Sequence, residues 1–469
     1  MQKLRLILGA VGRREARGIL IGPEGNPRAT LWRGSSPANL ILCHSPEPAR
    51  NELARRHLGV WSFKTPPLEP GTQYDLAATV GDEWTQTGFE TLPAKGESSE
   101  LSIAAMSCYY DGYHTDASYL STLERWGQGI DFKILLGDNL YLDVPGDDIR
   151  SVPYEHTVDR YVRYFYESGY ADVLGRGSTF VTWDDHEYWN NYPQRVVWLS
   201  RTWGDSRDEY ENAARDCLDA FQQPLCPRES DDHRSFAFDE APCVSFFFAD
   251  VRTQRQRYRA DGSSRLLGPL GIESLENWAS KLERPGVLVI GQPMGLAPGN
   301  WADYNSPDFT DHYSRIWAAL AAAPYDVMIL SGDVHFSRIL RFDVNSPTGG
   351  EPRPVYEVVT SPACHIPGFL GQGSANVVAP GDFKSAGAAI QPRITVYYAG
   401  SACPNTFAIL KFEAIGRRVR VGVRFLDTLK NREPYWEKLG IDSSEHRWRA
   451  NRQMAPTEMF VLDKRGQDG

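Results

Sequence analysis

Six short apolar runs in the middle of the chain each end abruptly in polar residues that can take part in chemistry. They occupy positions 101–106, 132–136, 179–183, 244–249, 287–290 and 327–330. Amphipathic stretches typical of helices lie between some of them, at 117–126, 210–221, 272–281 and 311–321. Buried strands that alternate with helices indicate α/β layering, in which loops at the carboxyl ends of strands build the site. We therefore expect a functional site made from the residues that follow these runs.

The N-terminal part of the chain has a different pattern, in which short apolar runs are separated by Gly, Pro and Asn turns. The runs lie at 4–8, 29–32, 40–43, 60–63 and 76–80. Short strands punctuated by turns are typical of a small antiparallel sandwich. We predict a β-sandwich domain over residues 1–92, a polar linker over 93–100 and a larger α/β domain over 101–469.

Charge and composition argue against several classes of protein. The chain carries 50 Lys and Arg against 60 Asp and Glu, a net charge of −10, so no nucleic-acid-binding module is expected. No apolar stretch approaches the roughly 18 residues that a membrane span needs. The seven cysteines are scattered, which favours a reducing compartment. We expect a cytoplasmic protein, because we recognise neither a signal peptide nor a twin-arginine export signal near the N-terminus.

Two of the apolar runs lead into motifs that suit a metal ion. In GDNLY, residues 137–141, Asp138 and Tyr141 are three apart, and one tight turn could present both to the same ion. In SGDVH, residues 331–335, Asp333 and His335 alternate on an extended segment and face the same way. A turn-capping aspartate and a satisfied core histidine are the plainer alternatives for either motif alone.

The densest cluster is WDDHEYWNNY, residues 183–192. The adjacent carboxylates of Asp184 and Asp185 precede His186 and a third carboxylate. Such a cluster repels itself unless a cation or a protonated group offsets the charge. A solvated acidic turn is the alternative, but a hydrophobic strand leads directly into the cluster and Trp189 flanks it.

Cys108 and Arg252 complete the set of candidates. A single cysteine at a strand end is usually a small buried hydrophobe. With a carboxylate, a phenol and an imidazole on neighbouring strands, Cys108 becomes a candidate thiolate ligand. Arg252 follows the run 244–249, and arginine forks suit phosphate oxygens. A charged helix face is the alternative for the neighbouring Arg255 and Arg257.

In chain order, the motifs SC, GDNLY, DDHE followed by NN, DVR and GDVH resemble those of the alkaline phosphatase D (PhoD-like) family of calcineurin-like metallophosphoesterases. The match covers roughly residues 100–430, and the preceding β segment resembles the N-terminal sandwich of that family. The resemblance implies an α/β (α+β) fold with a β-sandwich followed by a metallophosphatase catalytic domain, a two-sheet α/β/β/α sandwich.

The resemblance also implies a two-metal site in which Asp138 bridges both ions. The implied metal ligands are Cys108, Asp138, Tyr141, Asp185, Asp333 and His335. A set of thiolate, phenolate, carboxylate and imidazole suits ferric iron, whereas carboxylates alone suit calcium, magnesium or manganese. The family pattern implies iron (Fe³⁺) with calcium (Ca²⁺), and Mn²⁺, Mg²⁺ or Zn²⁺ are the alternatives for the second ion.

The remaining residues of the pattern would act on the substrate. His186 would be catalytic, and the substrate-binding residues would be Arg252, Asn190 and Asn191. We expect a metal-dependent hydrolase of small-molecule phosphate esters, monoesters or diesters, that uses a metal-bound hydroxide. The alternatives are a phosphodiesterase acting on nucleotides or lipid-derived phosphodiesters, and a catalytically silent metal-binding protein. The sequence leaves the oligomeric state open.

Overall fold

The structure is a computed structural model. It describes residues 3–111, 129–144, 152–194, 202, 204, 206–227, 234–256, 264–296, 298–299, 304–335, 337–344, 353–364, 393–399, 406–427 and 458–464. The helix predicted at 117–126 and the predicted candidate Arg257 lie outside these residues.

The N-terminal part forms two four-stranded antiparallel sheets. The strands are β1 Arg5–Val11, β2 Ala16–Pro23, β3 Arg28–Arg33, β4 Ser36–Asn39, β5 Leu42–His44, β6 Leu58–Lys64, β7 Gln73–Val80 and β8 Glu83–Glu90. One sheet has the order β1-β2-β6-β5 and the other β4-β3-β7-β8. Leu8 and Trp61 of the first sheet and Leu31 and Leu76 of the second share one apolar cluster, so the two sheets pack face to face.

A helix, Glu47–Arg55, interrupts this β segment between β5 and β6, and the sequence pattern did not predict it. Pro48 lies in its first turn, where a missing N–H is tolerated. The helix buries Ala49 and Leu53. Two apolar contacts in nine residues are too few to give a clear helical period.

Alternate residues of β1 face opposite sides of its sheet. Leu6 and Leu8 point into the sandwich, whereas Ile7 belongs to the main core of the rest of the chain. Ser178 reinforces this contact, since its hydroxyl donates to Gly9 O over 2.8 Å. One continuous core therefore joins the two parts, and the domain boundary at residue 92 stays a prediction.

Two larger sheets make up the rest of the described chain. Their strands are β9 Glu100–Met106, β10 Phe132–Leu136, β11 Ser178–Thr182, β12 Phe236–Phe238, β13 Ser245–Ala249, β14 Gly286–Ile290, β15 Val327–Ser331, β16 Arg338–Val344, β17 Arg353–Val359, β18 Arg393–Ala399, β19 Thr406–Ile415, β20 Arg418–Asp427 and β21 Glu458–Leu462. In the described residues, one sheet has six strands in the order β11-β10-β9-β19-β20-β21. The other has seven, in the order β12-β13-β14-β15-β17-β16-β18.

The two sheets stack against each other, and helices flank them. Ile134 of the six-stranded sheet and Phe246 of the seven-stranded sheet lie in the same core cluster. On the other face of the seven-stranded sheet, Phe247 packs with Ile272 and Trp317. The helices are Pro153–Val162, Gly169–Leu174, Ser206–Phe221, Pro269–Ser280 and Thr310–Ala322. The predicted mixed α/β sandwich is confirmed. Within the described residues, no helix is both long and apolar enough to span a membrane.

The carboxyl ends of the parallel strands meet where the two sheets come together. β9, β10 and β11 are parallel neighbours, as are β13, β14 and β15. Gly332, after β15, lies so close to the end of β9 that a Cβ there would come within 2.4 Å of Ser107 Cβ. Gly137, after β10, has φ +93°, and a Cβ there would come within 2.6 Å of Asp184 Cβ. These glycines let the polar loops of both sheets converge.

Candidate active site

The candidate site residues hold unusual backbone conformations. Among the described residues, six non-glycine residues have φ values in the left-handed region. Five of the six are predicted site residues, namely Cys108, Asp138, Asn191, Asp333 and His335. Each such conformation costs about 1–3 kcal/mol and persists only where the surroundings impose it. These residues lie in loops that follow strands of both large sheets, which makes the region where the sheets meet a candidate functional site.

The first group of candidate ligands combines sulfur, oxygen and nitrogen. The Cys108 Sγ lies 3.4 Å from Asp138 Oδ2, and the Tyr141 hydroxyl lies 3.2 Å from His335 Nε2. Potential ligand atoms of Cys108, Asp138 and His335 all lie within 4.8 Å of one another. Tyr141 is fully buried beside Cys108. Strand ends far apart in sequence thus bring all four side chains together.

Carboxylates dominate two further groups. Asp138, Asp185 and His186 form one, and Asp184, Asp185 and Asp333 form the other, with ligand atoms within 4.8 Å in each. Asp184 Oδ2 and Asp185 Oδ1 are buried and accept no hydrogen bond from the described residues. Buried carboxylate oxygens without donors are costly unless a cation lies close.

Burial and negative charge shape the protonation of the first group. Burial, reinforced by the Asp138 carboxylate, raises the pKa of the Cys108 thiol well above its usual value. Burial and the charges of Cys108 and Asp138 likewise raise the pKa of the Tyr141 phenol. A cation bound between these side chains would offset both effects and favour the anionic ligands. The donor set therefore fits a metal ion.

His186 makes a close contact with a carboxylate that the sequence reasoning missed. Its Nδ1 lies 2.6 Å from Asp143 Oδ1. Asp143 Oδ2 accepts the Asn190 backbone N–H over 2.8 Å, and the Tyr141 ring centroid lies 4.2 Å from the imidazole centroid. Asp143 comes two residues after Tyr141, so the available signal was a GDNLYLD motif longer than the GDNLY considered.

Glu187 connects the loop after β10 with the turn after β11. Its carboxylate accepts backbone N–H groups from Asp138 over 3.0 Å, Asn139 over 2.7 Å and Asp184 over 2.9 Å. Burial raises the pKa of Glu187 to about 8 although these hydrogen bonds lower it. The sequence identified only a third carboxylate in the cluster and gave it no role. In the structure, Glu187 fixes the backbones of Asp138 and Asp184.

The predicted substrate-binding residues lie at the site with different contacts. The backbone N–H of Asn191 donates to Asp185 Oδ2, and that of Asn190 donates to Asp143. Arg252 is 1% exposed and pairs with Asp184 through its Nε. Arg255, also buried, donates to Gln292 Oε1 over 3.0 Å. The substrate-binding roles of Arg252, Asn190 and Asn191 stay predictions.

Comparisons with known proteins identify the family of this chain. A family model described as PhoD-like phosphatase matches residues 103–382. The chain belongs to the PhoD-like phosphatase family. Among solved structures, one titled "Structure of PhoD" matches with a TM-score of 0.63 and 16% identity, covering 90% of this chain and 88% of that chain. At this identity the structural likeness supports the fold alone. No curated protein matches the chain.

Family membership gives the converging residues their chemical context. The chain is a phosphatase, and PhoD-like phosphatases depend on metal ions. The three ligand groups lie at the strand ends within the matched residues. The resemblance inferred from the motifs is therefore confirmed, as is the coarse expectation of a metal-dependent phosphatase.

Proposed function

We propose that the chain hydrolyses small-molecule phosphate esters at a two-metal site, to which Asp138 would contribute a ligand for each ion. The observation that carries this proposal is that Asp138 belongs to two ligand groups at once, one with Cys108 and His335 and one with Asp185 and His186. Its Oδ2 faces the Cys108 sulfur, whereas its Oδ1 accepts the His186 backbone N–H over 3.3 Å. The two oxygens thus face different groups.

Each ion would take the ligands that suit it. Cys108, Tyr141 and His335 would hold ferric iron with Asp138, because thiolate, phenolate and imidazole suit that ion. Asp185 and Asp333 would hold calcium, with manganese, magnesium or zinc as the alternatives. When bound, the ions would supply the positive charge that stabilises phosphoryl transfer and would lower the pKa of attacking water.

The side chains of this chain then orient the reaction. His186 faces the phosphate. There it either stabilises the negative charge that develops on the phosphate oxygens or gives a proton to the departing oxygen. Asp143 accepts a hydrogen bond from Nδ1 and leaves Nε2 as the nitrogen available to the ester. Glu187 keeps the backbones of Asp138 and Asp184 in place, so the carboxylates need not reorganise during the reaction.

Hydrolysis assays on the purified protein test this function. We expect release of p-nitrophenol from p-nitrophenyl phosphate, from bis-p-nitrophenyl phosphate or from both, and the ratio of the two rates gives the monoester or diester preference. Chelation should abolish the activity, and Asp138→Asn should lower it by roughly 10³ or more because the residue serves both ions. Asp326→Asn is the matched control, since Asp326 is a buried carboxylate that accepts the Asp463 N–H just before β15.

Two results would contradict the proposal. No hydrolysis of either ester by the metal-loaded protein would favour a silent metal-binding protein. Full activity of Asp138→Asn would show that the site lies elsewhere.

A further inference from the structure

The guanidinium of Arg252 lies among three carboxylates of the site. Its Nε pairs with Asp184 Oδ1, and its Nη2 lies 3.5 Å from Asp185 Oδ1 and 4.0 Å from Asp333 Oδ2. These three aspartates are the third group of candidate metal ligands. That group therefore already contains a cation, supplied by the chain.

We propose that Arg252 is a positioning residue whose guanidinium is the permanent cation of the Asp184–Asp185–Asp333 group. It holds Asp185 and Asp333 ready for a metal ion and does not bind the substrate phosphate. The inference rests on the proposed function, in which Asp185 and Asp333 are ligands and Asp184 is not.

Burial and committed donors argue against contact with the substrate. Arg252 is 1% exposed, and its Nη1 donates to Tyr192 O over 3.1 Å. A guanidinium that binds phosphate presents two parallel N–H groups to the ligand. Here Nε donates to Asp184 and Nη1 donates to the backbone of Tyr192. Neither pair of parallel N–H groups is therefore free to bind a phosphate.

The three aspartates lie at different distances from the guanidinium of Arg252, and we infer different roles for them. Asp184 makes the direct pair with Nε, and its carboxylate is fully buried. Asp185 Oδ1 lies near Nη2 but accepts no hydrogen bond from the described part of the chain. Arg252 thus offsets the charge of Asp185 without occupying this oxygen, which remains available to an ion.

Arg252 also fixes the turn that orients Asp185. Tyr192 O, which accepts from Nη1, directly follows Asn191, and the Asn191 backbone N–H donates to Asp185 Oδ2. The guanidinium thereby connects the strand end after β13 with the turn after β11. Its removal should loosen Asp185 as well as leave Asp184 without a counter-charge.

Thermal unfolding of chelator-treated and Mn²⁺-saturated protein tests the inference. We expect Arg252→Gln to lower the melting temperature of the metal-free protein by on the order of 5–10 °C, since breaking a buried pair is strongly destabilising. Saturating Mn²⁺ should recover at least half of the loss, because the ion restores positive charge beside the same carboxylates. Arg252→Lys keeps the positive charge but loses the planar guanidinium. Its melting temperature without metal should lie between those of the wild type and Arg252→Gln.

Arg338→Gln is the matched control, because Arg338 is also 1% exposed and lies beside the buried Glu357 carboxylate, outside the three ligand groups. Its loss of stability should be the same with and without Mn²⁺. For Arg252→Gln, kcat for p-nitrophenyl phosphate should fall while KM stays within about twofold. An unchanged melting temperature together with a tenfold higher KM would overturn the proposal in favour of a substrate contact.

A double variant covers the case in which Arg252→Gln does not fold. Asp184→Asn removes the charge that Arg252 offsets, so Asp184→Asn/Arg252→Gln should be folded and more stable than Arg252→Gln alone. A double variant no more stable than the single one would overturn the inference. The melting temperatures need no activity, so an absence of hydrolysis in the wild type would refute the proposed function and leave this test readable.

Discussion

His186 and Asp143 form a buried pair in which Nδ1 lies 2.6 Å from Oδ1. Because a carboxylate can only accept, the hydrogen belongs to Nδ1. Burial lowers the pKa of His186, but the carboxylates of Asp143 and Asp185 outweigh it, and the net pKa lies well above the ordinary range. The second oxygen of Asp143 accepts the Asn190 N–H, so one side chain fixes both the ring and its turn.

Asp143→Asn should lower kcat by roughly 10² to 10⁴, in the manner of a histidine that loses its orienting carboxylate. An amide has one acceptor oxygen, so it must give up the Asn190 N–H or present its NH₂ to Nδ1, and in either case the negative charge that helps to raise the pKa of His186 is lost. We expect a larger loss for an alkyl phosphate than for p-nitrophenyl phosphate, because a poor leaving group needs the proton more. Steady-state kinetics with both esters measures this ratio.

A double variant distinguishes positioning from a general structural loss. If Asp143 acts through His186, Asp143→Asn should cost little more in the His186→Ala background. Asp326→Asn, far from these residues in sequence and outside the ligand groups, should leave the leaving-group dependence as in the wild type. If the fold-losses in kcat of the two single variants multiply in the double variant, Asp143 does not act through His186.

His186→Ala should keep both metals while kcat falls by roughly 10² to 10⁴. Asp185→Ala should instead weaken the ion held by oxygen ligands, and added metal should partly restore its rate. The comparison is decisive because potential ligand atoms of Asp138, Asp185 and His186 lie within 4.8 Å of one another. Metal analysis of the purified variants gives the answer, and a missing ion in His186→Ala would make His186 a ligand.

The sequence predicted the strands and the convergence at their ends better than the contacts within the site. Apolar runs are buried strands, and parallel strands deliver their following residues to one edge, so the convergence of Cys108, Asp138 and His335 could be predicted from the pattern of strand ends. The contacts of Arg252 could not be predicted from the sequence. Its partner Asp184 is 68 positions away, and a pattern gives residue types without saying which buried donor meets which acceptor.

The two missed functions have the same physical origin. In the sequence, Glu187 is one of several acidic residues in its cluster. In the structure its oxygens accept three backbone N–H groups, and a sequence does not show which backbone groups a side chain will meet. Asp143 lies two residues beyond the GDNLY motif, and the pattern of that motif gives no sign that the turn after β10 extends so far. Both residues satisfy buried donors, a demand that only the folded chain creates.

Cys108→Ser should remove the thiolate part of the visible absorption expected of ferric iron bound by thiolate and phenolate ligands, and should lower the iron content. An alcohol is a harder and less acidic ligand than a thiol, so the first ligand group would lose its anionic sulfur. Cys217→Ser is the matched control, because Cys217 is equally buried but lies in the helix Ser206–Phe221. Absorption spectra and metal analysis of both variants test the iron assignment. Unchanged spectra in Cys108→Ser would exclude sulfur ligation.

Lys133 should make the stability of the protein depend on pH above neutrality. Burial, assisted by the charge of Arg176, lowers the pKa of Lys133 to about 7 from 10.5. Between these values the unfolded chain binds the proton and the folded chain does not, so the free energy of unfolding rises with pH, by up to about 1.4 kcal/mol per pH unit. Below pH 7 both states bind the proton, so Lys133 adds no pH dependence there, and the cost of burying its charged amine is at its full value.

Lys133→Met isolates this effect, since it keeps a long side chain and removes the titrating group. The variant also loses the hydrogen bond to Gly177 O, but that loss does not change the sign of the pH slope. We expect the stability difference, wild type minus variant, to increase steadily from pH 7 to pH 9 in urea titrations. A constant difference across the window for Lys133→Met would mean that the buried amine stays charged, held by the backbone carbonyls that precede β11.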